Sequence, residues 1–174
     1  MQKKIYIVNG MGGCGKDTFA QFLTEIVSTM KISSVDKVKR LAKFCGWEGG
    51  KTEKDRKFLS DLKCLTSEYS DFAFRDIRTQ VEYFKIVDLY NVLLIDIREP
   101  DEIERAKNEF GAKTILITND RVEPILSNMA DANVFEYTYD YIINNSGSFE
   151  DFKANIKIFA EAEELCTSEN LVKE

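Results

Sequence analysis

No histidine occurs anywhere in the 174 residues, and that absence alone removes whole classes of chemistry. A Ser-His-Asp triad, a histidine general base and a histidine-ligated metal are all excluded. Proline is nearly as scarce, at two residues, and no Pro-rich linker, low-complexity stretch or internal repeat divides the chain. The cysteines Cys14, Cys45, Cys64 and Cys166 are scattered without a C-x-x-C pair. Neither a disulfide framework nor a zinc site is expected, and a reducing cytoplasm fits. No apolar run is long enough to cross a bilayer, and the residues behind Lys3-Lys4 lack a signal-peptide core. A cytoplasmic chain with no membrane partner is therefore expected. The formal charge of −6 argues against a nucleic-acid partner, because broad affinity for a polyanion needs basic surface to displace its counterions.

What is present reads as an ordinary globular chain, 44% hydrophobic and 31% charged, most simply one domain with room for a proper core. Short apolar runs at 5–8, 31–35, 92–97, 114–118 and 139–144 predict about five buried strands. Helical patterns alternate with them, which predicts a layered α/β fold with a mainly parallel sheet. One helix-period run takes in Phe19, Phe22, Leu23, Ile26, Val27 and Met30. Another begins at Pro100 and stops at Gly111, with Ile103, Ala106 and Phe110 on its apolar face. Ser148 and Asp151 form a capping signature ahead of Phe149, Phe152, Ile156 and Phe159. Residues 36–90 lack a convincing strand. Their helical faces carry Phe58, Leu62, Leu65, Tyr69 and Phe72, then Phe74, Ile77, Val81 and Phe84, and Trp47-Glu48-Gly49-Gly50 interrupts them.

The most informative segment is Gly10-Met11-Gly12-Gly13-Cys14-Gly15-Lys16-Asp17-Thr18. It follows an apolar strand and opens a helix, the setting in which G-x-x-x-x-G-K binds nucleotide phosphates. The glycines let successive N–H groups face an anion, the helix dipole favours negative charge, and the Lys16 side chain can reach the β- and γ-phosphates. ATP and Mg²⁺ are thus the expected cofactors. Asp17 stands where a metal-ligating Ser or Thr is usual, with Thr18 next. A carboxylate there can hold Mg²⁺ directly or through water. It can also favour the first helical turn by its charge alone, and both readings stay open. Cys14 is read first as a small tolerated residue; a sharper expectation is that the helix terminus lowers its pKa and makes it oxidisable.

The G-x-x-x-x-G-K-D-T loop resembles that of phage-type deoxynucleoside monophosphate kinases and related bacterial nucleotide-kinase-like proteins; animal-type phosphomevalonate kinases also carry G-K-D. The resemblance implies a three-layer P-loop NTPase fold, with residues 36–90 as a helical acceptor-binding insertion and 119–138 as a short lid. It implies phosphoryl transfer from ATP to a small phosphorylated acceptor, most simply a (deoxy)nucleoside monophosphate. A hydroxyl acceptor, as in dephospho-coenzyme A kinase, and a non-catalytic ATP-binding sensor are the alternatives. N-K-x-D and D-x-x-G are both missing, which argues against a GTPase. Tyr139 to Ser148 is similar to the final strand and loop of the deoxynucleoside monophosphate kinase family, so Asn145, Ser146 and Gly147 could meet the adenine.

Ligands of open α/β sheets bind at the carboxyl ends of the strands, which selects the remaining candidates. Asp96 ends a Walker B-like strand, where it orients Mg²⁺ or serves the acceptor site, or merely caps a turn. Arg98, two residues on, can grip an acceptor phosphate bidentately or pair with Glu99 or Asp101. Asp36 follows the second strand; it or Asp96 would take a proton from a hydroxyl acceptor. Arg40 resembles the acceptor-phosphate arginine of the kinase family, and Arg56 lies in a segment similar to bacterial relatives. Arg75 and Arg78 share a helix face, which suits a phosphate or a surface ion pair equally. Arg121 falls in the lid region, where it could neutralise charge on the transferred group. Asp131, further along that region, is read as structural.

Overall fold

The structure, a computed structural model, describes residues 2–122 and 133–165. Asp131, Cys166 and the middle of the expected lid lie outside them. The elements are β1 (Lys4–Asn9), α1 (Lys16–Ile26), β2 (Thr29–Ser33), α2 (Asp36–Phe44), α3 (Glu53–Ser70), α4 (Phe72–Ile86), β3 (Val92–Asp96), α5 (Pro100–Phe110), β4 (Lys113–Thr118), β5 (Tyr141–Asn144) and α6 (Phe149–Ala162).

The strands form one five-stranded sheet in the order β2-β3-β1-β4-β5. The β1–β3, β1–β4 and β4–β5 pairs are parallel. Strands buried on both faces must be apolar throughout, and β3 obeys: Val92, Leu93, Leu94 and Ile95 are all buried. Side chains alternate between the faces. Tyr6 and Val8 pack with Phe19, Leu23, Phe152, Ile156 and Phe159 of α1 and α6, while α5 presents buried Ile103 and Ala106 from another layer. Three rings of that core, Tyr6, Phe19 and Tyr141, surround Phe159, with centroids 5.3, 6.0 and 5.1 Å away. Register then fixes the working end of the sheet, because Val8 pairs with Asp96 and Asn9 with Leu116.

Helix boundaries follow their caps. Pro100 opens α5 and Gly111 closes it in the left-handed conformation. Ser148 and Asp151 close a reciprocal capping box on α6, as Thr52 and Asp55 do on α3. Several sequence-based boundaries are corrected. The second strand ends at Ser33, with Ser34 and Val35 forming the turn into α2. The helical run does not extend to Met30: Val27 is extended at φ −144°, and the next strand starts at Thr29. There the Ser28 carbonyl accepts from the Asn91 and Val92 N–H groups, so pairing with β3 overrides the local helical periodicity. β5 loses Tyr139 and Asp140, since Asp140 Oδ2 instead caps Thr114 at N and Oγ1. The face ending at Phe72 is broken at Asp71, whose left-handed φ of 53° separates α3 from α4.

The chain divides into two compact units, one holding residues up to Lys31 and from Asp88 onward, the other Ile32–Val87. The first contains the phosphate loop and most of the sheet. In the second, α4 buries Phe74, Ile77, Val81 and Phe84 as the sequence predicts, whereas α3 buries no residue and leaves Leu65 and Tyr69 exposed. Among the described residues no helix is long and apolar enough to cross a membrane.

Candidate phosphate-binding site

Residues 10–15 curl back over the end of β1. Gly10, Gly13 and Gly15 take φ values of 147°, 83° and 109°, conformations that cost an L side chain strain. Space is equally restrictive at Gly10, where a Cβ would lie 2.5 Å from the Ile117 carbonyl oxygen and 2.6 Å from Cys14 Sγ. A Cβ on Gly15 would collide with Asn145 Nδ2. Gly15 also caps α1 without offering a side chain, so the first N–H groups of the helix are left for an anion. Lys16 Nζ donates to the carbonyls of Gly10 and Met11, at 2.6 and 2.9 Å. That places an ammonium inside the curl. Thr18 is half-buried in the first turn of α1.

Cys14 corrects an expectation. Its side chain is fully buried, and burial pushes the thiol pKa up, outweighing the lowering effects of Lys16 and Arg98. A loop cysteine in the protonated form is a packing residue, not a thiolate. Arg98 follows the end of β3 by two residues, at the same end of the sheet as the loop.

Two carboxylates converge beside it. Asp17 is 98% exposed and Asp96 19% exposed, and the Lys31 ammonium on β2 bonds both, reaching Asp96 Oδ2 at 3.1 Å. Burial pushes the Asp96 carboxyl pKa above its ordinary value; Lys31 and Lys16 oppose that rise, and Asp17 adds to it. Asp96 Oδ1 is buried without a hydrogen-bond partner. A buried carboxylate oxygen with no donor is a costly feature in a folded protein. It fits Mg²⁺, which needs only one or two protein carboxylates beside phosphate and water oxygens.

Sequence reasoning missed both Lys31 and Asn9. Asn9, fully buried at the end of β1, accepts from Gly10 N at 2.8 Å and donates to Tyr139 Oη at 2.7 Å and the Arg98 carbonyl at 3.3 Å. Tyr139 in turn donates to the Val134 carbonyl. The available signal was an asparagine closing an otherwise apolar strand directly before the first glycine.

On the other side of the loop, Asn145 Nδ2 donates to the Cys14 carbonyl at 2.9 Å. Arg121 donates to the Asn145 carbonyl at 3.0 Å, which joins its guanidinium to the β5–α6 loop. Gly147 precedes the Ser148 cap, where a Cβ would meet Asp151 Oδ2 at 2.7 Å. The remaining candidates belong to the helical unit. Asp36 folds one carboxylate oxygen back onto Ser33 N at 2.8 Å. Arg40 pairs with Asp76 at 3.3 Å, and Arg78 pairs with Asp71 at 3.3 Å while lying over the Phe74 ring. Arg56 and Arg75 are exposed.

No protein-family model and no curated protein matches the sequence significantly. Solved structures do resemble it. TT1252 from Thermus thermophilus is 18% identical with a TM-score of 0.56, covering 96% of this chain and 100% of that one. The tunicamycin resistance protein of Deinococcus radiodurans is 11% identical at a TM-score of 0.57, over 94% of this chain and 97% of its own. A sugar kinase from Janibacter is 11% identical at 0.50, over 94% and 95%. At such identities the likeness shows fold alone: a three-layer α/β fold around a mainly parallel five-stranded sheet.

Proposed function

We propose that the chain transfers the terminal phosphoryl group of ATP to a small phosphorylated metabolite in the cytoplasm, and that the acceptor is a (deoxy)nucleoside monophosphate. One observation carries this reading. A glycine loop in conformations closed to other residues, with an ammonium inside it, stands with a carboxylate pair and the Arg98 position at the carboxyl end of a parallel sheet.

Lys16 holds the loop closed through its own carbonyls and carries the charge that incoming phosphates take over. The loop N–H groups and the start of α1 orient the polyphosphate. Asp17 and Asp96, with Thr18 the third candidate, would hold Mg²⁺, which supplies charge neutralisation at the phosphates when bound. An acceptor phosphate is already ionised, so no strong base is required, in keeping with a chain without histidine. Arg98 grips that phosphate through its planar fork. Arg40, Arg56, Arg75 and Arg78 on the helical unit, with Asp36, are its further candidate contacts, and Arg121 offers positive charge from the β4 side. Asn145 and Gly147 offer the base a polar wall. Catalysis is then positioning and charge neutralisation in a site that excludes water.

The test is ADP release from Mg-ATP in a coupled assay, with ribo- and deoxyribonucleoside monophosphates, dephospho-coenzyme A and phosphomevalonate as acceptors. Acceleration by one monophosphate supports the proposal. Acceleration only by dephospho-coenzyme A reassigns the reaction to hydroxyl phosphorylation, and ATP binding without turnover on any acceptor points to a sensor. Lys16→Ala should abolish turnover with the melting temperature preserved; retained turnover would remove the phosphate loop from the chemistry.

A further inference from the structure

The two carboxylates assigned to the metal do not face each other bare. Three elements bring Lys31, Asp17 and Asp96 together: β2, the first turn of α1 and the end of β3. The Lys31 side chain is 28% exposed, yet its ammonium spans both carboxylates. Pairing with Asp96 alone would satisfy the needs of a buried charge. Reaching out to a nearly fully exposed aspartate orders a long side chain for little stability, since exposed ion pairs contribute about 0–1 kcal/mol. Meanwhile Asp96 Oδ1 stays without a donor. The cluster is therefore over-supplied with positive charge at the exposed carboxylate and under-supplied with donors at the buried one.

We propose that Lys31 is a positioning residue for the metal: an internal counter-ion that holds Asp17 and Asp96 together and yields to a divalent cation. This rests on the kinase reading above. The Lys31 ammonium, bonded to both carboxylates, offsets their repulsion, while a divalent ion competes for the same oxygens with twice the charge. The ammonium thus sets a threshold, so that the carboxylate pair retains metal poorly until the nucleotide's own phosphates contribute oxygens. A lysine suits this task because its compact head on a flexible stem can withdraw, which a broad guanidinium cannot do as readily.

The test uses metal alone. Mn²⁺ binding to the nucleotide-free protein is titrated by electron paramagnetic resonance at fixed ionic strength, for the wild type, Lys31→Met, Lys31→Gln and Lys31→Met/Asp96→Asn. Removing the competing ammonium should tighten Mn²⁺ binding on the order of tenfold in both single variants, and Asp96→Asn should cancel the gain. Thermal melts identify a variant that has failed to fold, and the other single variant then decides. Unchanged or weaker Mn²⁺ binding by a folded single variant overturns the proposal, as does a gain that survives Asp96→Asn. Because no nucleotide or acceptor is present, a protein inactive on every acceptor would defeat the kinase reading and leave the Mn²⁺ affinities, and the role of Lys31 they report, unchanged.

Discussion

At the scale of single residues, the site depends on positions where almost no other side chain fits. Gly10 is the sharpest case, because its φ of 147° and the Ile117 carbonyl 2.5 Å from a would-be Cβ act together. Relief would require backbone, not a side chain, to move. Gly10→Ala should therefore lose nucleotide binding and lower stability by about 1–3 kcal/mol, measured by fluorescent-nucleotide titration and urea unfolding. Asn9 is the second such position. Asn9→Leu strands the buried Gly10 N–H, at a cost of about 1–3 kcal/mol for a buried group left without its partner. Tyr139→Phe removes only one hydroxyl from the same chain and should cost less. Equal losses from the two variants would mean that the Asn9 side chain does not organise the loop. The glycines and Lys16 were legible in the sequence because the loop is local and every member lies within seven positions. Asn9 was not, since its partners Arg98 and Tyr139 come from distant segments.

At the scale of elements, caps and apolar periods were read correctly wherever neighbours agreed with them. The capping box of α6 and the Pro100–Gly111 limits of α5 are local chemistry, and the structure keeps both. Periodicity failed at Val27–Met30, where apolar residues fit a helix as well as an edge strand and only pairing near Ser28 and Asn91 decides. It failed differently in α3, whose apolar stripe suggests a buried face although none of its residues is buried. That contrast gives a prediction. Ser148→Ala, on a helix whose Phe152, Ile156 and Phe159 enter the core, should lower global stability by about 1 kcal/mol. Thr52→Ala removes an equivalent cap from α3, and its effect should stay local. Native-state hydrogen exchange should show fraying of residues 53–56 with the slowest-exchanging amides unaffected. A matching fall in global stability from both variants would mean that α3 is integral to the core.

At the scale of the whole molecule, the end of the sheet away from the phosphate loop carries its own polar centre. Glu163, only 3% exposed, accepts from Tyr6 Oη at 2.7 Å and Lys113 Nζ at 2.7 Å, and is bonded by Tyr141 Oη. Lys4 Nζ bonds its backbone carbonyl. Burial alone would push the Glu163 carboxyl pKa up, but the bonds from Lys113, Tyr141 and Tyr6 outweigh it and hold the group below its ordinary value of 4.5. A carboxyl that ionises at lower pH when folded contributes fully above that ordinary value, and the contribution drains away as pH falls through the folded one. Glu163→Gln should thus cost about 1–3 kcal/mol at neutral pH and flatten the acid limb of a stability–pH profile. An acid limb identical to the wild type would show that other carboxylates govern it. None of this cluster was legible in the sequence, because Lys4, Lys113 and Glu163 become neighbours only through the order of the strands.

That strand order has a further consequence, for the time course of folding. β1 is the middle strand, and its two neighbours are laid down much later: Lys4 pairs with Val92 and Tyr6 with Lys113. Such distant partners must be found by a loop search whose entropy is lost before any contact is gained. During synthesis the glycine loop leaves the ribosome before β3 and β4, and it has no walls until they follow. Asn145, which bonds the loop carbonyl of Cys14, emerges later still. The loop is thereby completed late, once β3, β4 and the segment carrying Asn145 have been made and have found their places.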